Sequence, residues 1–102
     1  MHLKPGARLR SAVCGGQIVV VRAPDGDVDL RFGGRPVRRL DDASNELASP
    51  APDLVGETPM GKRYAAADLG VEVLVTQAGQ SLLSVGDELL DRKDAKVMPS
   101  SD

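Results

Sequence analysis

The feature that most constrains this chain is that it can be laid on itself. Residues 18–40, "IVVVRAPDGDVDLRFGGRPVRRL", align without a gap on residues 71–93, "VEVLVTQAGQSLLSVGDELLDRK", at an offset of 53. Over residues 10–40 and 63–93, seven of 31 pairs are identical: Arg10/Arg63, Ala12/Ala65, Val20/Val73, Gly26/Gly79, Leu30/Leu83, Gly33/Gly86 and Arg39/Arg92. Because the offset is freely chosen, the placement of the matches weighs more than their number. Two of the pairs are turn glycines, needed where the backbone takes a conformation other residues resist. The chain therefore reads as two copies of one small β unit. A lone hairpin is only marginally stable, so two copies packed apolar face to apolar face are a way to make a core.

Within the first copy, the apolar run Ile18 to Val21 is followed by the turn "APDGD" and then by strict alternation of Val28, Leu30 and Phe32 against Asp27, Asp29 and Arg31. This pattern predicts a hairpin. Pro24 fixes φ, Asp25 tolerates a turn, and Gly26 supplies the positive φ that closes it. A second turn at Gly33-Gly34 returns "RPVRRL" as a third strand, which Pro36 confines to an edge. The expected fold class is all-β, with two tandem three-stranded repeats packed into one small sandwich or barrel-like domain. Residues 1–40 hold the first repeat with an N-terminal arm, and residues 62–93 hold the second. Residues 41–61, rich in Ala, Ser, Pro and acid, form a linker or crossover, and residues 94–102 an extended tail. "DELLDRK" reads as a charged edge strand or one helical turn.

A chain of 102 residues fits one domain and excludes large cofactor-binding folds. Aromatics are only 2% of it, so its core must be aliphatic. The net charge of −2 hides an asymmetry: residues 1–40 carry eight Lys or Arg against three Asp, net +5, and residues 41–102 carry five against twelve, net −7. Opposite halves can attract within a chain or across a dimer. Arg31, Arg35, Arg38 and Arg39 form a basic cluster and are the candidate interaction residues. Phe32 is the only aromatic near them, and base stacking needs several, which argues against a nucleic-acid partner. The longest apolar run, Ile18 to Val21, is too short to span a membrane. No apolar stretch of seven or more residues separates Lys4, Arg8 and Arg10 from Cys14, as an export signal would require. With Cys14 as the only cysteine, no internal disulfide is possible, and the expected compartment is the reducing cytoplasm.

The stretch Ser11-Ala12-Val13-Cys14-Gly15, the strand Ile18 to Val21, Gly26, Leu30-Arg31-Phe32-Gly33 and Gly34-Arg35-Pro36-Val37 together resemble the desulforedoxin and desulfoferrodoxin N-terminal family, a rubredoxin-like group. Its small iron-binding β unit runs C-x-x-C-G, a Val-rich strand, a Gly turn, a strand ending in paired Cys, and G-x-P-M. The second repeat is similar more distantly, through "VEVL", Gly79, Leu83, Gly86 and Leu90. The resemblance implies the fold and, in the family, a tetrahedral iron or zinc held by four thiolates. Here those positions are Ser11, Cys14, Arg31 and Phe32, and in the second repeat Tyr64, Ala67, Ser84 and Val85. Only one thiolate is left, and Arg31 would add a fixed cation where a metal belongs. The expectation is a vestigial site whose space side chains now fill, with no cofactor. Cys14 is then a small buried apolar residue rather than a ligand or reactive thiol.

Other chemistry fails at specific residues. Gly56, Gly61 and Lys62 in "GETPMGKR" fit a phosphate-binding loop, but Arg63 stands where a hydroxyl must reach magnesium. Thr58-Pro59-Met60-Gly61 is more simply a turn. Asp25, Asp27 and Asp29 lack the loop glycine and terminal Glu of a calcium loop. His2 and Cys14 have no persuasive spacing as a nucleophile and base, so no catalytic set is expected. The sequence therefore points to a non-catalytic accessory or protein-interaction subunit of a larger, metabolic enzyme complex, with self-association as a further form of partnership. The alternative is a metal-binding or electron-transfer module, holding iron or zinc, with its site completed across a dimer through Cys14.

Overall fold

The structure, a computed structural model, describes residues 2–42, 49 and 51–93. The tail expected at residues 94–102 lies outside the described residues. The chain is all-β. Its strands are β1 (Arg8–Arg10), β2 (Gln17–Arg22), β3 (Leu30–Phe32), β4 (Arg35–Pro36), β5 (Arg38–Arg39), β6 (Val55–Thr58), β7 (Arg63–Ala66), β8 (Val71–Gln77), β9 (Gly79–Ser81), β10 (Leu83–Val85), β11 (Glu88–Leu89) and β12 (Asp91–Lys93). The only described helical segments are single 3₁₀ turns at Pro52–Leu54 and Ala67–Leu69. Among the described residues, no helix is long and apolar enough to cross a membrane.

The strands form a six-stranded sheet in the order β12-β7-β8-β2-β1-β5, a four-stranded sheet in the order β11-β10-β3-β4, and a small β6-β9 pair. All described pairings are antiparallel. Leu9, Ile18, Val20, Val73 and Val75 from the large sheet and Leu30, Phe32 and Leu83 from the smaller one share one buried core. The two repeats thus close on each other. β2 pairs with β8 and β3 with β10, so neither half has a core of its own.

The apolar run of β2 resolves by strand alternation. Ile18 and Val20 point inward at 1% exposure each, while Val21 is 40% exposed. Val28, Leu30 and Phe32 are buried and Asp27 and Asp29 exposed, as their alternation predicts. The hairpin expected between these two segments does not form, because β2 and β3 belong to different sheets and "APDGD" carries the chain from one to the other. An alternating sequence marks a half-buried strand but does not name its neighbour. The Gly33-Gly34 turn does close a hairpin, pairing Phe32 with Arg35. Both glycines have positive φ, 67° and 82°, which two-residue loops of this hand require. Pro36 lies on the edge strand of its sheet, where its missing N–H is harmless. Residues 41–61 include β6, and "DELLDRK" supplies β11 and β12.

The repeat is real in the hydrogen bonding, but its offset changes along the chain. Gly6 N–H to Val20 C=O and Val20 N–H to Ala7 C=O recur as Gly61 to Val75 and Val75 to Lys62, a spacing of 55. Beyond the turn, Gly33 N–H to Leu82 C=O and Val37 N–H to Leu30 C=O recur as Gly86 to Asp29 and Leu90 to Leu83, a spacing of 53. The first copy therefore has two more residues between β2 and β3 than the second has between β8 and β10. A pseudo-twofold axis passes through the facing pairs Val19/Leu74 in the large sheet and Arg31/Ser84 in the smaller one. The gapless alignment is corrected accordingly. Gly26 is an exposed turn residue at φ 92°, whereas Gly79 has no positive φ and is buried in β9. Arg63 corresponds to Arg8, not to Arg10.

Candidate functional site

The loop that joins β1 to β2 carries Cys14. Ser11 N–H donates to the Gly16 carbonyl at 2.9 Å, closing residues 12–15 into a tight turn. The buried Ser11 hydroxyl accepts the amide N–H groups of Val13 at 2.9 Å and Cys14 at 3.1 Å. The Gln77 side-chain amide donates to the Gly15 carbonyl at 2.8 Å, fastening the tip of the loop to β8. Cys14 is a half-buried free thiol packed against the core.

Phe32 fills the space behind this loop. It is 0% exposed, and its ring lies 2.5 Å from where a Cβ on Gly16 would stand and 2.9 Å from where one on Gly79 would stand. The Cys14 Sγ is also 2.9 Å from that Gly79 position. Only glycine at 16 and 79 leaves room for the ring and the thiol together. The structure thus gathers Ser11, Cys14 and Phe32 and leaves Arg31 out. Arg31 is on the opposite face of β3 from Phe32, where its Nε is 3.0 Å from both Asp29 carboxylate oxygens and an Nη donates to the Gly34 carbonyl at 3.0 Å. Its cation is not in the space behind Cys14, contrary to the sequence expectation.

In the second copy, the 55-residue spacing makes Ala66 and Leu69 the counterparts of Ser11 and Cys14, in place of Tyr64 and Ala67. Tyr64 instead packs part-buried against the core, and Val85 does the same. The Ser84 hydroxyl, opposite Arg31, is buried with no hydrogen-bond partner among the described residues. Among the described residues, no group of three or more His, Cys, Asp or Glu is placed to hold a metal ion.

The four arginines of the basic cluster are divided between the sheets. Arg31 and Arg35 lie on β3 and β4, with the Arg35 Nε donating to the Ser49 carbonyl at 3.2 Å. Arg38 and Arg39 form β5, the edge of the large sheet next to β1. Arg39 there joins residues the cluster did not include. A groove of about 830 Å³ runs between the N-terminal segment and β5, with Leu3, Leu9 and Leu40 among its apolar lining and Lys4, Arg8 and Arg39 as its cations. Asp41 is its single acidic residue.

Sequence reading also passed over Glu72. It is 4% exposed on the outer face of β8, covered by Lys93 at 3.0 Å and Arg63 at 3.6 Å. The hydrogen bond from Lys93, together with the charges of Lys93, Arg63 and Arg22, holds its carboxyl below the usual range against the opposing effect of burial. Its signal was a lone charge inside the apolar run "VEVLV", a placement that calls for a partner.

Comparison with known proteins gave no matching family model, no matching curated protein and no matching solved structure.

Proposed function

We propose that this chain is a non-catalytic accessory or protein-interaction subunit of a larger enzyme complex, built on a metal-free desulforedoxin-like scaffold. One observation carries the reading. Phe32, at a position where the resembled family places a metal-binding cysteine, is packed behind Cys14 into the room left by Gly16 and Gly79. A site closed by an aromatic ring keeps the architecture and gives up the chemistry. The scaffold retains outward strand edges, β5 with Arg38 and Arg39 and β12 with Asp91, Arg92 and Lys93. Charged edges resist indiscriminate strand pairing and favour a partner of complementary charge. A lone free thiol fits the reducing cytoplasm.

The test is native mass spectrometry of the protein purified gently from its own host, with iron and zinc determined on the same sample. The expected result is a metal-free chain in fixed ratio with a larger polypeptide. One iron or zinc per chain or per dimer, lost on Cys14→Ser, would overturn this reading and restore the metal or electron-transfer module.

A further inference from the structure

The two halves serve as controls for each other. In the second half, Arg63 of β7 is opposite Leu74, diagonal to Glu72, and its guanidinium is 3.6 Å from the Glu72 carboxylate. In the first half, Arg8 of β1 is opposite Val19 and diagonal to Gln17. The 55-residue spacing makes Arg8 the counterpart of Arg63 and Gln17 the counterpart of Glu72. The cation is kept and its internal counterion is replaced by a neutral amide. Lys93, the other cation on Glu72, is replaced in the same way by Leu40, at a spacing of 53.

Arg8 and its neighbour Leu40 open onto the groove beside β5, whose lining does not include Gln17. Lys4 and Arg39 line it with them. The side chains of Lys4, Arg8 and Arg39 form no ion pair with any described residue. Buried Leu3 and Leu9, each 2% exposed, contribute to its apolar lining. Its volume of about 830 Å³ lies within the range of small-molecule sites. Three cations against Asp41 select negative charge, and the planar forks of two arginines suit a carboxylate or phosphate.

We propose that this groove binds a small amphipathic anion, with a carboxylate or phosphate-ester head on Arg8, Arg39 and Lys4 and an apolar body along Leu3, Leu9 and Leu40. The second half satisfies its arginine from within; the first half takes the missing negative charge from a ligand. This site shares Arg39 with the β5 edge proposed above as a partner contact, but it takes a small ligand, and its test does not depend on any partner.

The test is calorimetric titration of the full chain with octanoate, octyl phosphate and neutral octanol, with two-dimensional amide NMR of the same samples. Octanoate or octyl phosphate should bind with shifts centred on Lys4, Leu9 and Leu40, and the tighter of the two identifies the head group. Octanol should bind at least about tenfold more weakly than the better anion, the weight of one hydrogen-bonded charge. Arg8→Gln and Arg39→Gln should each weaken the anion by about tenfold on the same grounds. Gln17→Glu, which gives Arg8 the internal partner that Arg63 has, should weaken it by about threefold while leaving every cation in place. Arg35→Gln, on the other sheet, should leave binding unchanged, and thermal melts report whether each variant is folded. Equal affinity for octanol, unchanged affinity in Gln17→Glu together with both arginine variants, or binding of neither octyl anion would overturn the proposal.

Discussion

Gln17 and Glu72 occupy the same position in the two halves of the molecule, one a neutral amide and the other a carboxylate buried under Lys93 and Arg63. Glu72 has its pKa lowered, first by the Lys93 hydrogen bond. A depressed carboxyl pKa means that the folded state binds its proton less tightly than the unfolded chain. The stabilisation is therefore complete above the unfolded value of 4.5 and is lost as pH falls through the lower folded value. Lys93 and Arg63 are 55% and 58% exposed, so water screens much of the attraction. Glu72→Gln should cost about 1 kcal/mol at neutral pH, the scale of an exposed ion pair. Chemical denaturation across pH 2–7 would check this, with the two curves converging at the acid end.

Glu88 is expected to behave in the opposite sense. A side-chain hydrogen bond with Asp68 raises its pKa, followed by desolvation and the charges of Asp68 and Asp91. A raised carboxyl pKa means the folded state is penalised wherever Glu88 is ionised. That penalty is absent below the unfolded value of 4.5 and present above the folded one. Glu88→Gln should accordingly raise the melting temperature at pH 7 and leave it unchanged at pH 4, as measured by thermal melts at the two values.

Strand positions were legible in this sequence and strand partners were not. Val28, Leu30 and Phe32 announce an inward face through period two, and Gly33-Gly34 announces a hairpin through φ. Both halves cross from the large sheet to the smaller one although their turns differ by two residues, so the choice between β2 turning back on β3 and pairing with β8 is not set by turn length, and alternation does not encode it. The same difference misplaced the second-copy counterparts of Ser11 and Cys14, since a gapless alignment carries the 53-residue spacing back across the turn, where the structure uses 55. Phe32 was legible as a core residue, but its meeting with Gly79 from the other half was not. The groove was hidden for a similar reason. Arg39 was grouped with its sequence neighbours Arg31, Arg35 and Arg38, while its companions Lys4 and Arg8 lie some thirty residues earlier and reach it only through β1–β5 pairing.

Two glycines that matched in sequence should fail for different reasons. A methyl on Gly79 would stand 2.9 Å from both the Cys14 Sγ and the Phe32 ring, so Gly79→Ala overpacks the core and should cost about 1–3 kcal/mol. Gly26 has open space around it and φ of 92°, so Gly26→Ala meets only backbone strain, about 1–2 kcal/mol. Phe32→Leu, which shortens the ring side, should recover part of the Gly79→Ala loss and none of the Gly26→Ala loss. A double-mutant cycle by urea denaturation checks this. Additive behaviour of Gly79→Ala with Phe32→Leu would show that the two do not compete for one space.

Ser11 and Ser84 are both buried, at 1% and 2% exposure, yet they should respond oppositely to loss of the hydroxyl. Ser11 accepts two amide hydrogen bonds that hold the Cys14 loop, so Ser11→Ala strands the N–H groups of Val13 and Cys14 and should cost about 1–2 kcal/mol. The Ser84 hydroxyl has no partner among the described residues, so its desolvation is uncompensated in the folded state. Ser84→Ala removes that oxygen and leaves no group newly unpaired. It should be neutral or stabilising by up to about 1 kcal/mol, since no internal hydrogen bond is lost. Urea midpoints for the two variants, measured side by side at pH 7, should fall on opposite sides of the parent or, for Ser84→Ala, coincide with it. A loss at Ser84→Ala as large as that at Ser11→Ala would mean that the Ser84 hydroxyl finds an ordered water or a partner across the β3–β10 ladder.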